Sequence, residues 1–154
     1  MASFDRLFEI MDALLGPEGC PWDREQTVES LRSTVLEETC ELIEAIDLGD
    51  PYHMAEELGD LAFNVVFFCR LGEKQGLFTT EQMLEGICEK LIRRHPHVFA
   101  DGDAIEDSEA VLEQWEKIKA EEKEKRESAL DGLPPQLPAL LRAHKVLKLS
   151  LIHI

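Results

Sequence analysis

Apolar residues recur every three or four positions along most of the chain, which is the spacing of amphipathic helices. Glycine and proline interrupt this pattern at Gly16-Pro17, at Gly49-Asp50-Pro51 and at Pro96, and no stretch alternates as a strand would. The sequence therefore predicts an all-α helical bundle with about five helices. They cover about residues 4–15, 28–48, 51–71, 79–95 and 108–126.

Two helix starts carry capping signals. Asp50 followed by Pro51 is typical of an N-cap and the first helical position. Thr79 and Gln82 have the spacing of a capping box. We therefore expect the third helix to begin at Pro51 and the fourth directly after Thr79.

The second and third helices each carry two carboxylates three residues apart, Glu38/Glu41 and Glu57/Asp60. The first pair lies opposite an apolar arc, which by itself is typical of a solvated face. The third helix is apolar on nearly every side, which predicts burial, and has no Lys or Arg before its last turn. Glu57, Asp60 and Asn64 nevertheless share one arc of about 60°. Buried carboxylates require protonation, a cationic partner or a metal ion.

Two helices that present carboxylates at positions i and i+3 can surround a hard divalent cation with oxygen. Mg²⁺ suits such a site, because it takes few carboxylates, keeps several waters and binds phosphates. Zinc is disfavoured, because no cluster of Cys and His has the spacing of zinc ligands. The two pairs together favour a magnesium site, and a solvated acidic surface is the alternative.

Charge and composition narrow the classes of partner. The chain has 154 residues, 44% of them hydrophobic, which fits one domain with a core. A formal net charge of −16 disfavours binding to nucleic acid or to an anionic membrane. No apolar run is long enough to span a bilayer and the N-terminus resembles no secretory signal, so we expect a cytoplasmic protein. The four cysteines form no C-x-x-C pair and are expected to be reduced core thiols: Cys20, Cys40, Cys69 and Cys88.

A basic cluster stands out in so acidic a chain. Lys90 and Arg94 share one face of the fourth helix, with Arg93 beside them. Cations at a helix C-terminus are also favoured without any ligand, so the cluster is either an anion clamp or a helix-ending feature. The flanking histidines, His95 and His97, are separated by Pro96 and are interpreted as helix-ending residues.

Trp115 lies on a thin apolar stripe of the fifth helix, which is otherwise charged nearly all round. It can stack on a nucleobase or simply be packed. Residues 129–148 are interpreted as a proline-bearing linker and the start of a truncated following helix, after a domain formed by residues 1–128. The last six residues, LSLIHI, extend no amphipathic pattern and can be encoded by a sequence that resembles a transposase adapter, so residues 149–154 are interpreted as a non-native tail.

Two segments carry a family resemblance. LEETCELIEAI and EELGDLAFNVVFF together resemble the E-E-x-x-E and E-x-x-D signature of the MazG family of nucleoside triphosphate pyrophosphohydrolases. GCPWDREQT and EKLIRRHPHVFAD are similar to the N-terminal repeat of that family, and the resemblance extends over about residues 5–148. It implies an all-α bundle, usually dimeric, that uses Mg²⁺, with Mn²⁺ as a possible substitute, to split a nucleoside triphosphate into a monophosphate and pyrophosphate.

The resemblance also implies roles for individual residues. The implied metal ligands are Glu38, Glu41, Glu57 and Asp60. Glu37, Glu38 and Glu41 are the implied catalytic acids, and which of them acts as a general base is left open. Lys90 and Arg94 are implied at the triphosphate, and Trp115 near the nucleotide.

Two alternatives accompany this expectation. Relatives of this type carry two such domains, of which the C-terminal copy is usually catalytic, so this chain is alternatively a non-catalytic dimerisation or nucleotide-sensing module. A phosphoribosyl-ATP or dUTP/dCTP pyrophosphatase of the same superfamily is a second alternative. The loop GCPWDREQT disfavours that narrower assignment.

Overall fold

The computed structural model describes residues 3–100, 107–122 and 133–152, and within these ranges the chain forms helices and no strands. The all-α prediction is therefore confirmed for the described residues. The helices are α1 (Phe4–Leu15), α2 (Pro21–Glu25), α3 (Arg32–Leu48), α4 (Pro51–Lys74), α5 (Thr80–Arg94), α6 (Pro96–Phe99), α7 (Ser108–Glu121) and α8 (Ala139–Ile152). The five predicted helices correspond to α1, α3, α4, α5 and α7, α8 begins within the segment predicted to start a following helix, and α2 and α6 go beyond the prediction.

Both predicted capping signals are confirmed. Oδ1 of Asp50 accepts hydrogen bonds from the backbone N–H groups of Tyr52 and His53, at 3.0 and 3.2 Å. Thr79 and Gln82 exchange two bonds: the Thr79 N–H donates to Oε1 of Gln82, and the Gln82 N–H donates to Oγ1 of Thr79. These bonds satisfy N–H groups that a helix start leaves without intrahelical partners.

The start of α3 was predicted four residues too early. Thr27 and Ser30 form a turn in which each backbone N–H donates to the hydroxyl of the other residue. These local side-chain bonds compete with helix formation, so the regular helix begins only at Arg32. At its other end, Gly49 adopts a positive φ of 67°, a conformation that glycine tolerates well, and ends the helix.

The chain divides into two compact units, Met1–Cys88 and Glu89–Ile154. In the first unit, α4 packs against α3 and α1, and α1 packs against α2. The buried core of this unit contains Met11, Leu31, Val66, Phe67 and Leu71. Gly72 lies directly against the ring of Phe78, where an added Cβ would stand 2.5 Å from Cζ, so a larger residue would displace the ring.

The expectation that α4 is buried on every side is correct only in part. Its second half is buried from Val66 to Gly72, apart from the half-buried Phe68 and Arg70, whereas Leu58 and Val65 are about half exposed. The apolar arc of α3 is also exposed, with Leu36 at 58% and Ile43 at 53%. The helix turns other side chains inward, among them Ala45, which is fully buried. Hydrophobic periodicity therefore identified these helices but not the faces that this chain buries.

The second unit contains the last turns of α5 together with α6, α7 and α8. The predicted domain boundary at residue 128 and the predicted end of the fifth helix at residue 126 lie outside the described residues. α8 continues to Ile152, into the segment interpreted as a non-native tail, and the origin of that segment stays a prediction.

The four cysteines are free thiols, as expected, but only Cys69 belongs to the core. Cys20 is half-buried, and Cys40 and Cys88 are exposed, so their predicted core placement is wrong. Cys40 follows the exposed apolar arc of α3, which explains the error. Within the described ranges, no helix combines the length and the apolar character needed to cross a bilayer.

Candidate metal centre

Three carboxylates from α3 and α4 converge in the first unit. One side-chain oxygen from each of Glu38, Glu41 and Glu57 lies within 4.8 Å of the other two. We call these three residues the acidic cluster. Both carboxylates of the predicted first pair and one of the second thus meet, because α3 packs along α4. Glu57 is buried, Glu38 is half-buried and Glu41 is exposed, so the cluster is solvated only in part.

Glu57 is the buried member of the acidic cluster, with 6% of its surface exposed. Its Oε1 lies 3.0 Å from Nε2 of His53, one helical turn earlier on α4. Its Oε2 is buried and has no hydrogen-bond partner among the described residues. A buried carboxylate oxygen without a partner is costly, so this atom marks a position where a cation would be stabilised.

The charges of the cluster act on Glu38. Burial raises the pKa of the Glu38 carboxyl above its ordinary value. The neighbouring negative charges raise this pKa further, in the order Asp60, Glu41 and Glu57. The apo cluster is thus an unfavourable accumulation of like charge, which either a proton or a cation would relieve.

Two other predicted site residues, Asp60 and Glu37, lie outside the acidic cluster. Asp60 is exposed and is not one of the three convergent carboxylates, although it is near enough to act on the Glu38 charge. The expectation that it is buried with Glu57 is wrong, because α4 is still open to solvent at this turn. Glu37 is also exposed and outside the acidic cluster. Asn64 is buried, and its Nδ2 donates to the Asp60 carbonyl at 3.0 Å.

The donor atoms of the acidic cluster fit a hard divalent cation. All three are carboxylate oxygens, which Mg²⁺ and Mn²⁺ prefer, and no Cys or His atom joins this group in the described part of the chain. Oxygens bound to one Mg²⁺ lie about 3 Å apart when adjacent and about 4 Å apart when opposite. The upper limit of 4.8 Å in this structure exceeds both values, so the three carboxylates would have to move closer together to bind one ion.

The second unit contains two neighbouring arginines that already bind a carboxylate. We call Arg93 and Arg94 the arginine pair. Nη2 and Nε of Arg94 donate to Oε2 of Glu122 at 2.6 and 3.1 Å, and Nε of Arg93 donates to Oε1 at 2.7 Å. Arg94, and then Arg93, lower the pKa of Glu122 to about 2. The carboxylate of Glu122 therefore accepts hydrogen bonds from both guanidinium groups.

Trp115 lies among cations of the same unit. The guanidinium carbon of Arg94 is 5.5 Å from the ring centroid and Nζ of Lys119 is 4.5 Å from it, which are cation–π distances. The indole Nε1 is buried without a hydrogen-bond partner among the described residues. Arg94 and Trp115, two of the three residues predicted for the substrate, are therefore neighbours. The third, Lys90, is half-buried on α5.

The histidines after α5 make local contacts. Nδ1 of His95 lies 2.7 Å from the Leu91 carbonyl oxygen, which fits the predicted helix-ending role. Nδ1 of His97 lies 3.1 Å from Oε1 of Gln114 on α7.

His53 and Glu122 were missed by the sequence analysis. The spacing of His53 and Glu57, four residues apart on one helix, is a signal that would have paired them. Glu122 has no comparable signal, because α7 is rich in acidic residues and the contact joins residues 28 positions apart.

A family model described as the MazG nucleotide pyrophosphohydrolase domain matches residues 26–99. This range includes the acidic cluster, Asp60, Lys90 and the arginine pair. Trp115 and Glu122 lie after it.

Two curated relatives cover most of the chain. The Escherichia coli (strain K12) nucleoside triphosphate pyrophosphohydrolase is 48% identical over 151 residues, which are 96% of this chain and 57% of that protein. The Thermotoga maritima nucleoside triphosphate pyrophosphohydrolase/pyrophosphatase MazG is 46% identical over 144 residues, which are 93% of this chain and 54% of that protein. The chain thus spans little more than half the length of these relatives.

A solved structure supports the fold. The crystal structure of a mazG-related protein from Thermotoga maritima superposes with a TM-score of 0.64 at 25% sequence identity. The match covers 75% of this chain and 97% of that one. The fold of about three quarters of the chain therefore has a counterpart in an experimentally determined protein.

Proposed function

Because residues 26–99 form a MazG domain and the chain belongs to the MazG nucleotide pyrophosphohydrolase family, we propose that it hydrolyses nucleoside triphosphates with the help of Mg²⁺. The products are a nucleoside monophosphate and pyrophosphate. The observation that carries this proposal is the convergence of three carboxylates within 4.8 Å, one of them buried with an unpartnered oxygen. The proposal fits the two relatives, which are both described as nucleoside triphosphate pyrophosphohydrolases.

Glu38, Glu41 and Glu57 would hold the metal ion, and Asp60 would join them from the exposed turn of α4. A bound Mg²⁺ supplies charge neutralisation for the phosphate oxygens and lowers the pKa of water in contact with it. Mn²⁺ would substitute, since it accepts the same carboxylate ligands.

The remaining residues bind and orient the nucleotide. Lys90 and Arg94 attract the triphosphate and stabilise the negative charge that develops on the departing pyrophosphate. Trp115 offers an aromatic face for contact with the nucleoside. Water attacks the α-phosphorus, the bond to the bridging oxygen breaks, and a carboxylate among Glu37, Glu38 and Glu41 accepts the proton of the water.

Pyrophosphate release tests this function directly. The purified chain with Mg²⁺ and a panel of ribo- and deoxyribonucleoside triphosphates should release pyrophosphate. Glu41→Gln and Asp60→Asn should abolish the release, whereas Glu44→Gln, an exposed residue of α3 outside the cluster, should leave it unchanged. Equal release with and without metal, or no release even from a chain that lacks residues 149–154, would overturn the proposal.

A non-catalytic nucleotide-binding module is the second candidate. It is favoured by the engagement of Arg94 with Glu122, which occupies a guanidinium group expected at the triphosphate. Calorimetric titration with a non-hydrolysable triphosphate analogue separates the two functions. Metal-dependent binding of the analogue without pyrophosphate release from any triphosphate would identify a sensing module.

We further propose that the chain forms a homodimer through the exposed apolar faces of α3 and α4. Leu36, Ile43, Leu58 and Val65 are each about half exposed, and residues of this type are normally buried. Light scattering coupled to size-exclusion chromatography should give twice the mass of the chain. Ile43→Lys should give the monomer mass, whereas Leu77→Lys, in the loop after α4, should leave the dimer intact.

A further inference from the structure

His53 occupies a defined position at the start of α4. Its backbone N–H donates to Oδ1 of the N-cap Asp50 at 3.2 Å, and Pro51 fixes the first helical position between them. The imidazole extends toward the following turn, where Nε2 lies 3.0 Å from Oε1 of Glu57. The cap of the helix therefore also fixes the backbone of the residue that contacts the buried carboxylate.

The contact distinguishes the two oxygens of Glu57. Oε1 has Nε2 of His53 beside it at ion-pair distance. Oε2 is the buried oxygen without a partner among the described residues. Since the side chain of Glu57 is only 7% exposed, water does not replace the contact with His53 as it would at the surface.

We propose that His53 is a positioning residue of the metal centre: it holds one oxygen of the Glu57 carboxylate and so presents the other to the divalent cation. The proposal rests on the metal site described under the proposed function. Carboxylates that bind metals are commonly held by hydrogen bonds from neighbouring groups, and loss of such a group typically lowers metal affinity by about 10- to 100-fold. His53 does not act as a ligand itself, because its nitrogens are not among the convergent donor atoms.

An exposed surface pair would behave differently. Removal of a solvent-exposed i, i+4 pair changes stability slightly and has no effect on metal binding. His53 is 32% exposed, but its partner is buried and belongs to the acidic cluster. Its removal should therefore lower metal affinity, which the removal of an exposed surface pair would leave unchanged.

Mn²⁺ binding to the full chain, followed by electron paramagnetic resonance of the free ion, tests the proposal. His53→Leu removes the donor at similar size, and His53→Gln retains an N–H donor on a flexible side chain. We expect the Leu variant to bind Mn²⁺ about 10- to 100-fold more weakly than wild type and the Gln variant to recover most of that loss. The activity of the Leu variant should need correspondingly more Mg²⁺ and approach the wild-type value at saturating metal.

The controls separate this role from folding and from the metal site itself. Circular dichroism of both apo variants should match wild type, and Glu56→Gln, at an exposed position beside Glu57, should bind Mn²⁺ normally. Wild-type affinity in the Leu variant, or equal loss in the Leu and Gln variants, would overturn the positioning role. If wild type itself bound no Mn²⁺, the metal centre would be wrong, and the role of His53 with it.

Discussion

The acidic cluster and the arginine pair differ in whether their charges are already paired with the opposite charge. Among the described residues, the cluster makes only one ion-pair contact, from His53 to Glu57. Both guanidinium groups of the arginine pair, by contrast, already receive the carboxylate of Glu122. The cluster thus lacks a strong cationic partner, whereas the arginine pair has its anion.

The pKa shifts express the same contrast. Burial and like charge raise the pKa of Glu38 in the cluster, while two guanidinium groups lower the pKa of Glu122 to about 2. A raised carboxyl pKa means that the protein disfavours the ionised form there, and a lowered one means that the protein stabilises it. The acidic cluster is therefore prepared to gain a cation, whereas the arginine pair must release Glu122 before it can bind another anion in the same way.

Glu57→Gln should rank with Glu41→Gln and Asp60→Asn among the largest effects, because it removes the buried charge of the cluster. We expect pyrophosphate release to fall by more than about 100-fold, since even partners of metal ligands typically contribute 10- to 100-fold. In the presence of a chelator the same variant should have a higher thermal midpoint than wild type, because a repulsive buried charge is lost.

The decisive result is that Glu57→Gln should lower pyrophosphate release but raise the thermal midpoint of the protein without metal. Glu56→Gln, an exposed neighbour on α4, should change neither quantity. If Glu57→Gln lowered the thermal midpoint without metal, the cluster would be a structural network rather than an unsatisfied cation site.

Arg94→Lys tests the other side of the comparison. Arg94 is only 15% exposed, contacts Trp115 and donates twice to Glu122, whereas Arg93 is 54% exposed and makes one such bond. Lysine retains the charge but loses the planar fork of donors. We expect KM for the triphosphate to rise about 10-fold in Arg94→Lys, with a smaller change in Arg93→Lys. Equal KM changes in steady-state kinetics would contradict the distinction between the two arginines.

Metal should stabilise the chain through the acidic cluster. At saturating Mg²⁺ or Mn²⁺ we expect roughly 1–3 kcal/mol of added stability, measured as a rise in the thermal midpoint. Glu57→Gln should lose this rise, and Glu122→Gln should keep it, because Glu122 belongs to the second unit. An equal rise in wild type and Glu57→Gln would mean that the metal binds elsewhere.

The sequence placed the acidic residues of α3 and α4 on shared helix faces because helix geometry is regular, and their role as metal ligands stays a prediction. The spacing of Glu38 and Glu41, and the arc shared by Glu57 and Asn64, follow from 3.6 residues per turn. Burial was predicted less well, since periodicity shows which residues share a face but not which face meets a neighbour. Asp60, Leu36 and the exposed cysteines are the errors of that kind.

Contacts distant in sequence were not predictable in the same way. Glu122 approaches Arg94 across 28 positions, and no spacing rule connects them. Its acidic neighbours on α7 have the same residue type, so only the packing of helices selects the one that binds. The resemblance to a family supplied Lys90, Arg94 and Trp115 as substrate residues, and their joint action at one nucleotide stays a prediction.

The smallest expected effect is on the pH dependence of the thermal midpoint. The carboxyl pKa is lowered at Glu122 and raised at Glu38, so the two regions should respond to pH in opposite directions. Glu122 has a folded pKa of about 2, below an ordinary value of about 4.3, so its ionised form stabilises the fold above the ordinary pKa. This contribution is lost as pH falls from about 5 toward 2, so the difference in thermal midpoint between wild type and Glu122→Gln should shrink over that range. Glu38 has a raised pKa, so Glu38→Gln with a chelator should gain stability over wild type as pH rises above about 4. Trends of the same sign in both variants would contradict the assignment of one unsatisfied and one satisfied region.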